Sequence, residues 1–232
     1  MNETAVAELF DNYRNSYGTV VQSSIDFSGL PHSFFMRAKA DLLRNLIERH
    51  FGGNKPAMLD VGCGVGSFHP FLRGLVDCLC GIDVSSASVA QARSNHPDAE
   101  YRAFDGKHFP YESGTFGLVT AICVLHHVPP TQWRSFTQEM RRIVKPGGLV
   151  CIIEHNPLNP LTRLAVGRCE FDDDAVLLRA GQTRRLMADA GLRQLDSRYF
   201  LLFPSAAKLA RRAEFALGRV PLGAQYAAWG VA

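Results

Sequence analysis

Met58-Leu-Asp-Val-Gly-Cys-Gly-Val-Gly-Ser-Phe68 is the stretch that decides how the rest of the chain is read. Its first half is a short apolar run suited to a buried strand. Its second half sets Gly62, Gly64 and Gly66 in a turn, where a side chain would block close approach of the backbone to a ligand. The next residues, His69 to Leu75, can carry a helix whose first N–H groups would face that ligand. Downstream, Gly81-Ile-Asp83 puts an acid where a second parallel strand would end. In strand–loop–helix–strand nucleotide folds, an acid at that place accepts hydrogen bonds from ribose hydroxyls. A dinucleotide loop needs G-x-G-x-x-G, and its third glycine would fall at position 67, which is Ser. The glycines here read G-x-G-x-G with Asp60 before them, and a carboxylate beside the loop suits a cationic amino group better than a phosphate.

This combination resembles the first motif of class I S-adenosylmethionine (SAM) dependent methyltransferases, in their small-molecule, type 11-like group. Further stretches carry the same resemblance. Phe104-Asp-Gly-Lys-His-Phe-Pro110 is similar to the family's Asp followed by an apolar–Pro pair. In that place Asp105 would accept from an adenine amino group, although alone it is equally a turn aspartate. Thr115-Phe-Gly-Leu-Val119 departs from the pattern, with Gly117 where the family usually has Asp. Leu125-His-His-Val128 and Ile143-Val-Lys-Pro-Gly-Gly-Leu149 return to it, the latter as a helix exit made by proline and glycines. The resemblance spans roughly residues 57–154. It implies SAM as cofactor, S-adenosylhomocysteine as product, and cofactor contacts at Tyr17, Asp60, Gly62, Cys63, Gly64, Asp83, Val84, Asp105, Gly106 and Cys123.

Composition agrees with an ordinary enzyme. The 232 residues suffice for one sizeable core, and 25 basic against 22 acidic residues give a net charge of +3, too balanced to argue for nucleic acid. No apolar run is long enough to cross a bilayer, and Met1-Asn-Glu-Thr-Ala lacks the basic start of a signal peptide. Six cysteines, at 63, 78, 80, 123, 151 and 169, contain no C-x-x-C pair and read as reduced thiols of a cytoplasmic protein.

In chain order, residues 3–17 read as a helix with Val6, Leu9, Phe10, Tyr13 and Tyr17 at helical spacing. Tyr13 to Tyr17 resembles the aromatic segment that closes over SAM in many family members; packing of that helix is the other reading. A second helix is expected over 33–51, stopped by Gly52-Gly53. Strands are expected at 57–61, 78–83, 99–103, 117–124 and 148–154, with helices at 86–95 and 132–143 between them. Beyond them come a short helix at 161–169, an acidic turn or helix cap at 171–174, and a helix at 182–190. A strand at 193–200, a basic amphipathic helix at 204–218 and a strand at 225–231 complete the chain. Strands alternating with helices predict an α/β fold, a doubly wound and mostly parallel sheet covered on both faces. The resemblance implies seven strands, the last antiparallel, under an N-terminal helical cap. The expected organisation is one domain: a cap over 1–55, a SAM-binding core over 56–154, and an acceptor-side insert with the end of the sheet over 155–232.

Right-handed crossovers put ligands at the carboxyl ends of the central strands, where His126, His127, Glu154 and His155 gather, with His32 arriving from the cap. His127 and His155 are the candidates for removing a proton from a methyl acceptor, since imidazole titrates near neutral pH. Adjacent residues on an extended chain point opposite ways, so no metal site is expected at His126 and His127. The favoured reading is transfer of a methyl group from SAM to a small-molecule acceptor. A SAM-binding regulator without transfer activity and a nicotinamide-dependent oxidoreductase are the alternatives, the latter disfavoured by Ser67.

Overall fold

Strand β1 (Ala57–Val61) is buried on both faces, and its neighbours follow from that. Leu59 and Val61 face one side while Met58 faces the other, each within a separate apolar cluster. The same period-2 division runs through β4 (Phe116–Ile122) and β5 (Val144–His155). A sheet apolar on both faces needs cover on both, which the intervening helices supply. The computed structural model of the chain describes residues 7, 8, 11, 17–203, 205, 214 and 216–232. The helix expected over 3–17 and the basic helix expected over 204–218 lie largely outside these residues, as does the side chain of Tyr17.

The sheet has seven strands in the order β3-β2-β1-β4-β5-β7-β6. The others are β2 (Cys78–Asp83), β3 (Glu100–Ala103), β6 (Arg193–Phe200) and β7 (Gln225–Val231). Pairing is parallel from β3 through β5, and β7 inserts antiparallel between β5 and β6. This is the doubly wound, mostly parallel α/β sheet. The order reverses between β1 and β4, so the crevice beyond their carboxyl ends is the place for a ligand.

Helix α1 (Tyr17–Ile25) precedes α2 (His32–Phe51), which packs on the Met58 face through Met36, Ala40, Leu43 and Ile47. Lys39 lies on that same buried stripe. Helix α3 (Ser86–Asn95) is capped by the Ser85 hydroxyl, which accepts from the Ser88 N–H. Helix α4 (Trp133–Ile143) buries Phe136, Met140 and Ile143 on the opposite face. Helices α5 (Pro160–Val166) and α6 (Ala180–Asp189) follow β5.

Two expectations need correction. His69 to Leu75 forms only a short 3-10 turn, His69–Leu72, beginning with Pro70. Its His69 N–H donates to Gly66, so no helix start presents free donors to a ligand there. The Pro146-Gly-Gly stretch is also not a separate turn: β5 begins at Val144 and carries it as an irregularity opposite Phe116 and Leu118. Gly117, the departure from the family pattern, sits close against Pro56. A Cβ there would stand 3.0 Å from Pro56 Cβ.

Candidate active site

The turn after β1 is built from two glycines with different tasks. Gly62 has φ +74°, and a Cβ on it would lie 2.5 Å from Val124 Cγ2, so only glycine lets this turn meet the end of β4. Gly64 has φ +53° and open space where its Cβ would be, at the wall of the cavity. The N–H groups of Gly62 and Cys63 both donate to the Ile82 carbonyl, and that of Gly64 donates to Asp83 Oδ2 at 2.8 Å. Asp83 Oδ1 accepts from the Ser85 N–H at 2.9 Å. The Asp83 carboxyl is therefore pinned between two backbones. Burial raises its pKa, and those backbone donors oppose the rise.

Asp60 is held differently. Its Oδ1 accepts from the Thr120 hydroxyl at 2.9 Å and its Oδ2 lies 3.2 Å from His69 Nε2. The far nitrogen of His69 meets the Tyr101 hydroxyl at 2.5 Å. Both carboxylate oxygens of Asp60 are thus engaged within the protein, although the residue still borders the cavity. Asp105 turns away. Its Oδ1 caps its own loop, accepting from Lys107 and His108, and its pKa drops to about 2 because of those hydrogen bonds. Asp105 is absent from the cavity wall, whereas Phe104 and Gly106 stand on it.

That cavity measures about 570 Å³ and opens along the carboxyl ends of β1, β2, β4 and β5. Of the residues anticipated from the sequence, it brings together Asp60, Gly62, Cys63, Gly64, Asp83, Val84, Gly106, Cys123, His32, His127 and His155.

Its second half is a cluster of imidazoles and carboxylates. Near the end of β5, Glu154 is 1% exposed, and its Oε1 accepts from the N–H groups of Val124 and Leu125. Glu154 Oε2 lies 2.6 Å from His126 Nδ1. Residues Leu125–His127 form a 3-10 turn, not an extended chain, so the premise that the two imidazoles point apart fails. Their ring centroids are 4.1 Å apart, and His126 Nε2 and His127 Nε2 stand 3.6 and 3.3 Å from Asp172 Oδ1. Asp172 comes from the turn Glu170–Asp172, tied in where the Val176 N–H donates to the His126 carbonyl.

Burial alone would lower His126, but Glu154 and Asp172 override it and hold its pKa well above the ordinary value. Burial and the neighbouring His126 lower His127. His155 faces the same cluster, with its ring 5.2 Å from that of His126.

Two residues that sequence reasoning missed complete the wall. Lys39 is 7% exposed and directs its Nζ to within 3.5 Å of Cys123 Sγ. Cys123 has φ +56° and also receives the Gln225 amide at 3.5 Å. Burial would raise this thiol, but Lys39 and His155 outweigh it and bring its pKa down to about 7. Lysine on the apolar stripe of α2 was the available signal for Lys39. Asp172 carried none beyond an acidic turn.

A family model described as a methyltransferase domain matches residues 59–152. Over residues 59–152 this chain is similar to SAM-dependent methyltransferases. An uncharacterized methyltransferase of Synechocystis is 31% identical over 103 residues, covering 44% of this chain and 49% of the relative. The ubiquinone biosynthesis O-methyltransferase of Pseudomonas paraeruginosa is 32% identical over 120 residues, covering 49% and 51%. The chain thus spans about half the length of these curated relatives. A solved Thermotoga maritima structure, described as a SAM-dependent methyltransferase and possible histamine N-methyltransferase, superposes with a TM-score of 0.70. It covers 97% of this chain and 98% of that one at 16% identity, a likeness of fold. The matched residues end within β5, so Asp172 and Gln225 belong to the cavity but lie outside them.

Proposed function

We propose that this protein transfers the methyl group of SAM to a small, largely apolar acceptor carrying an ionisable O–H or N–H. One observation carries the reading: a single cavity runs from the Gly62–Gly64 turn and Asp83 to the imidazole cluster. The cofactor fits the first half. Gly64 borders it with open space where a Cβ would stand, and Asp83 offers a buried, fixed carboxylate beside the glycine turn. Phe104, Val84 and Gly106 supply a flat, mostly apolar wall for a purine, and Asp105 is spent on its own loop. Bound SAM would supply a methyl group on a positively charged sulfur, open to in-line displacement.

The second half suits the acceptor. Phe34, Phe35 and Phe171 add aromatic surface to the cavity wall, so an aromatic or aliphatic body is favoured over a polar polymer. Small-molecule acceptors also fit a relative named for ubiquinone biosynthesis. His155 ends β5 against the cavity, which supports assigning it the removal of the acceptor's proton. His127 directs its Nε2 to Asp172 and is less available for that task. Alignment of acceptor and methyl group, with water kept out by the aromatic wall, supplies much of the remaining acceleration.

The test is formation of S-adenosylhomocysteine from labelled SAM across a panel of phenols, quinols and amines. Acceptor-dependent product is expected. SAM binding with no product from any acceptor class would favour a regulator instead. Within an active pair, His155→Ala should lower turnover by about 10²–10⁴-fold with SAM affinity near wild type.

A further inference from the structure

We propose that His126, His127 and Asp172 bind one divalent transition-metal ion, with Zn²⁺ the best match, at the acceptor end of the cavity. The site goes beyond the methyl-transfer reading; only its use, holding an acceptor oxygen, rests on that reading.

The ligand atoms of the three residues all lie within 4.8 Å of one another. Zn²⁺ bonds of about 2.0–2.2 Å at tetrahedral angles separate ligand atoms by roughly 3.3–3.6 Å. His126 Nε2 and His127 Nε2 stand 3.6 and 3.3 Å from Asp172 Oδ1, which matches that spacing. The same separations are too long for charge-assisted hydrogen bonds, which run to about 2.7–2.9 Å. Asp172 Oδ1 is buried and makes no hydrogen bond in this arrangement. The spacing admits an ion in place of the shared proton.

The surroundings agree. His126 Nδ1 lies 2.6 Å from Glu154 Oε2, so Nε2 is the nitrogen that faces Asp172, and an ion bound there would displace the proton that Nε2 otherwise shares with that carboxylate. A metal-binding histidine is commonly oriented by a carboxylate on its other nitrogen. Glu154 is itself fixed by two backbone donors, which makes the orientation rigid. Among the described residues, the ion pairs of Glu154 and Asp172 are with imidazoles alone, and a doubly charged ion would balance both carboxylates. Two imidazoles and one carboxylate suit Zn²⁺ or a neighbouring transition metal, whereas Mg²⁺ takes oxygen ligands. All three residues border the cavity, so a fourth position opens toward the acceptor.

The experiment titrates chelator-treated protein with Zn²⁺ against a chromophoric chelator, without SAM or acceptor, in a Cys78→Ser background because Cys78 is an exposed thiol. One Zn²⁺ per chain is expected. Glu154→Gln should weaken binding by about 10–100-fold, and Asp172→Asn by more. Co²⁺ bound to the unsubstituted site should show visible bands of nitrogen and oxygen ligation, a readout that does not depend on any variant folding. No Zn²⁺ bound at micromolar concentration, an affinity unchanged in folded Asp172→Asn, or a thiolate charge-transfer band with Co²⁺ each overturns the proposal. Zn²⁺ binding without methyl transfer would overturn only the proposed function, and transfer without Zn²⁺ binding only the metal site.

Discussion

Cys123 shows how one residue's chemistry is set by its neighbours. Lys39 places a buried ammonium beside its sulfur, and the pKa near 7 makes a substantial fraction thiolate at neutral pH. Alkylation of Cys123 by a small reagent should therefore reach half its limiting rate near pH 7, followed by mass spectrometry of the labelled peptide. In Lys39→Met the midpoint should move upward, because burial then acts with less opposition; an unmoved midpoint would refute the pairing. Asp83 supports a second expectation. Asp83→Asn keeps the side chain's shape but removes its charge, and SAM affinity should fall about tenfold to a hundredfold, the worth of a charged hydrogen bond of roughly 1.5–3 kcal/mol. Calorimetry on the folded variant checks it. The place of Asp83 beside the glycine turn was legible in the sequence because it follows from position at a strand end. Lys39 was not, since helical periodicity assigns its position to apolar packing and cannot foresee a polar cavity there.

At the scale of elements, the turn after β1 separates two effects of glycine. Gly62→Ala forces a Cβ into Val124 and should cost more than the roughly 1–2 kcal/mol of left-handed backbone strain alone. Gly64→Ala incurs that strain without a clash, so it should lose about 1–2 kcal/mol of stability while impairing SAM binding more severely. Urea unfolding beside SAM titration distinguishes them. The start of α2 gives a pH dependence. His32 has its pKa lowered to about 4, by burial first and by Lys39 second. As pH falls below about 6.5 the unfolded chain takes up the proton before the folded one, so stability declines down to about pH 4. His32→Gln should flatten that part of the stability–pH curve; an identical slope in the variant would remove His32 as its source.

For the whole molecule, the fold predicts one mode of cofactor response. SAM at a hundred times its dissociation constant adds about 2.7 kcal/mol, which for a chain of this size raises the melting temperature by roughly 5–10 °C. NAD and NADP should leave it unchanged, since Ser67 stands where a dinucleotide loop needs glycine. A shift with NAD and none with SAM would overturn the assignment of the cavity. Among the described residues no helix is long and apolar enough to cross a membrane.

The sequence by itself determined the sheet and its cofactor end. Strands β1, β2, β6 and β7 fall at their expected positions; in β1, β2 and β7 burial on two faces imposes a local pattern that survives without tertiary knowledge, while β6 is only partly buried. Only the tertiary structure decided the imidazole end of the cavity. Asp172 lies 45 residues beyond His127 and reaches it through a turn with no periodic signal. The curl of residues 125–127, which turns two adjacent imidazoles toward one carboxylate, depends on Glu154 accepting from the backbone of Val124 and Leu125 across the sheet. Contacts of that range are fixed by packing, and no local stretch of sequence encodes them.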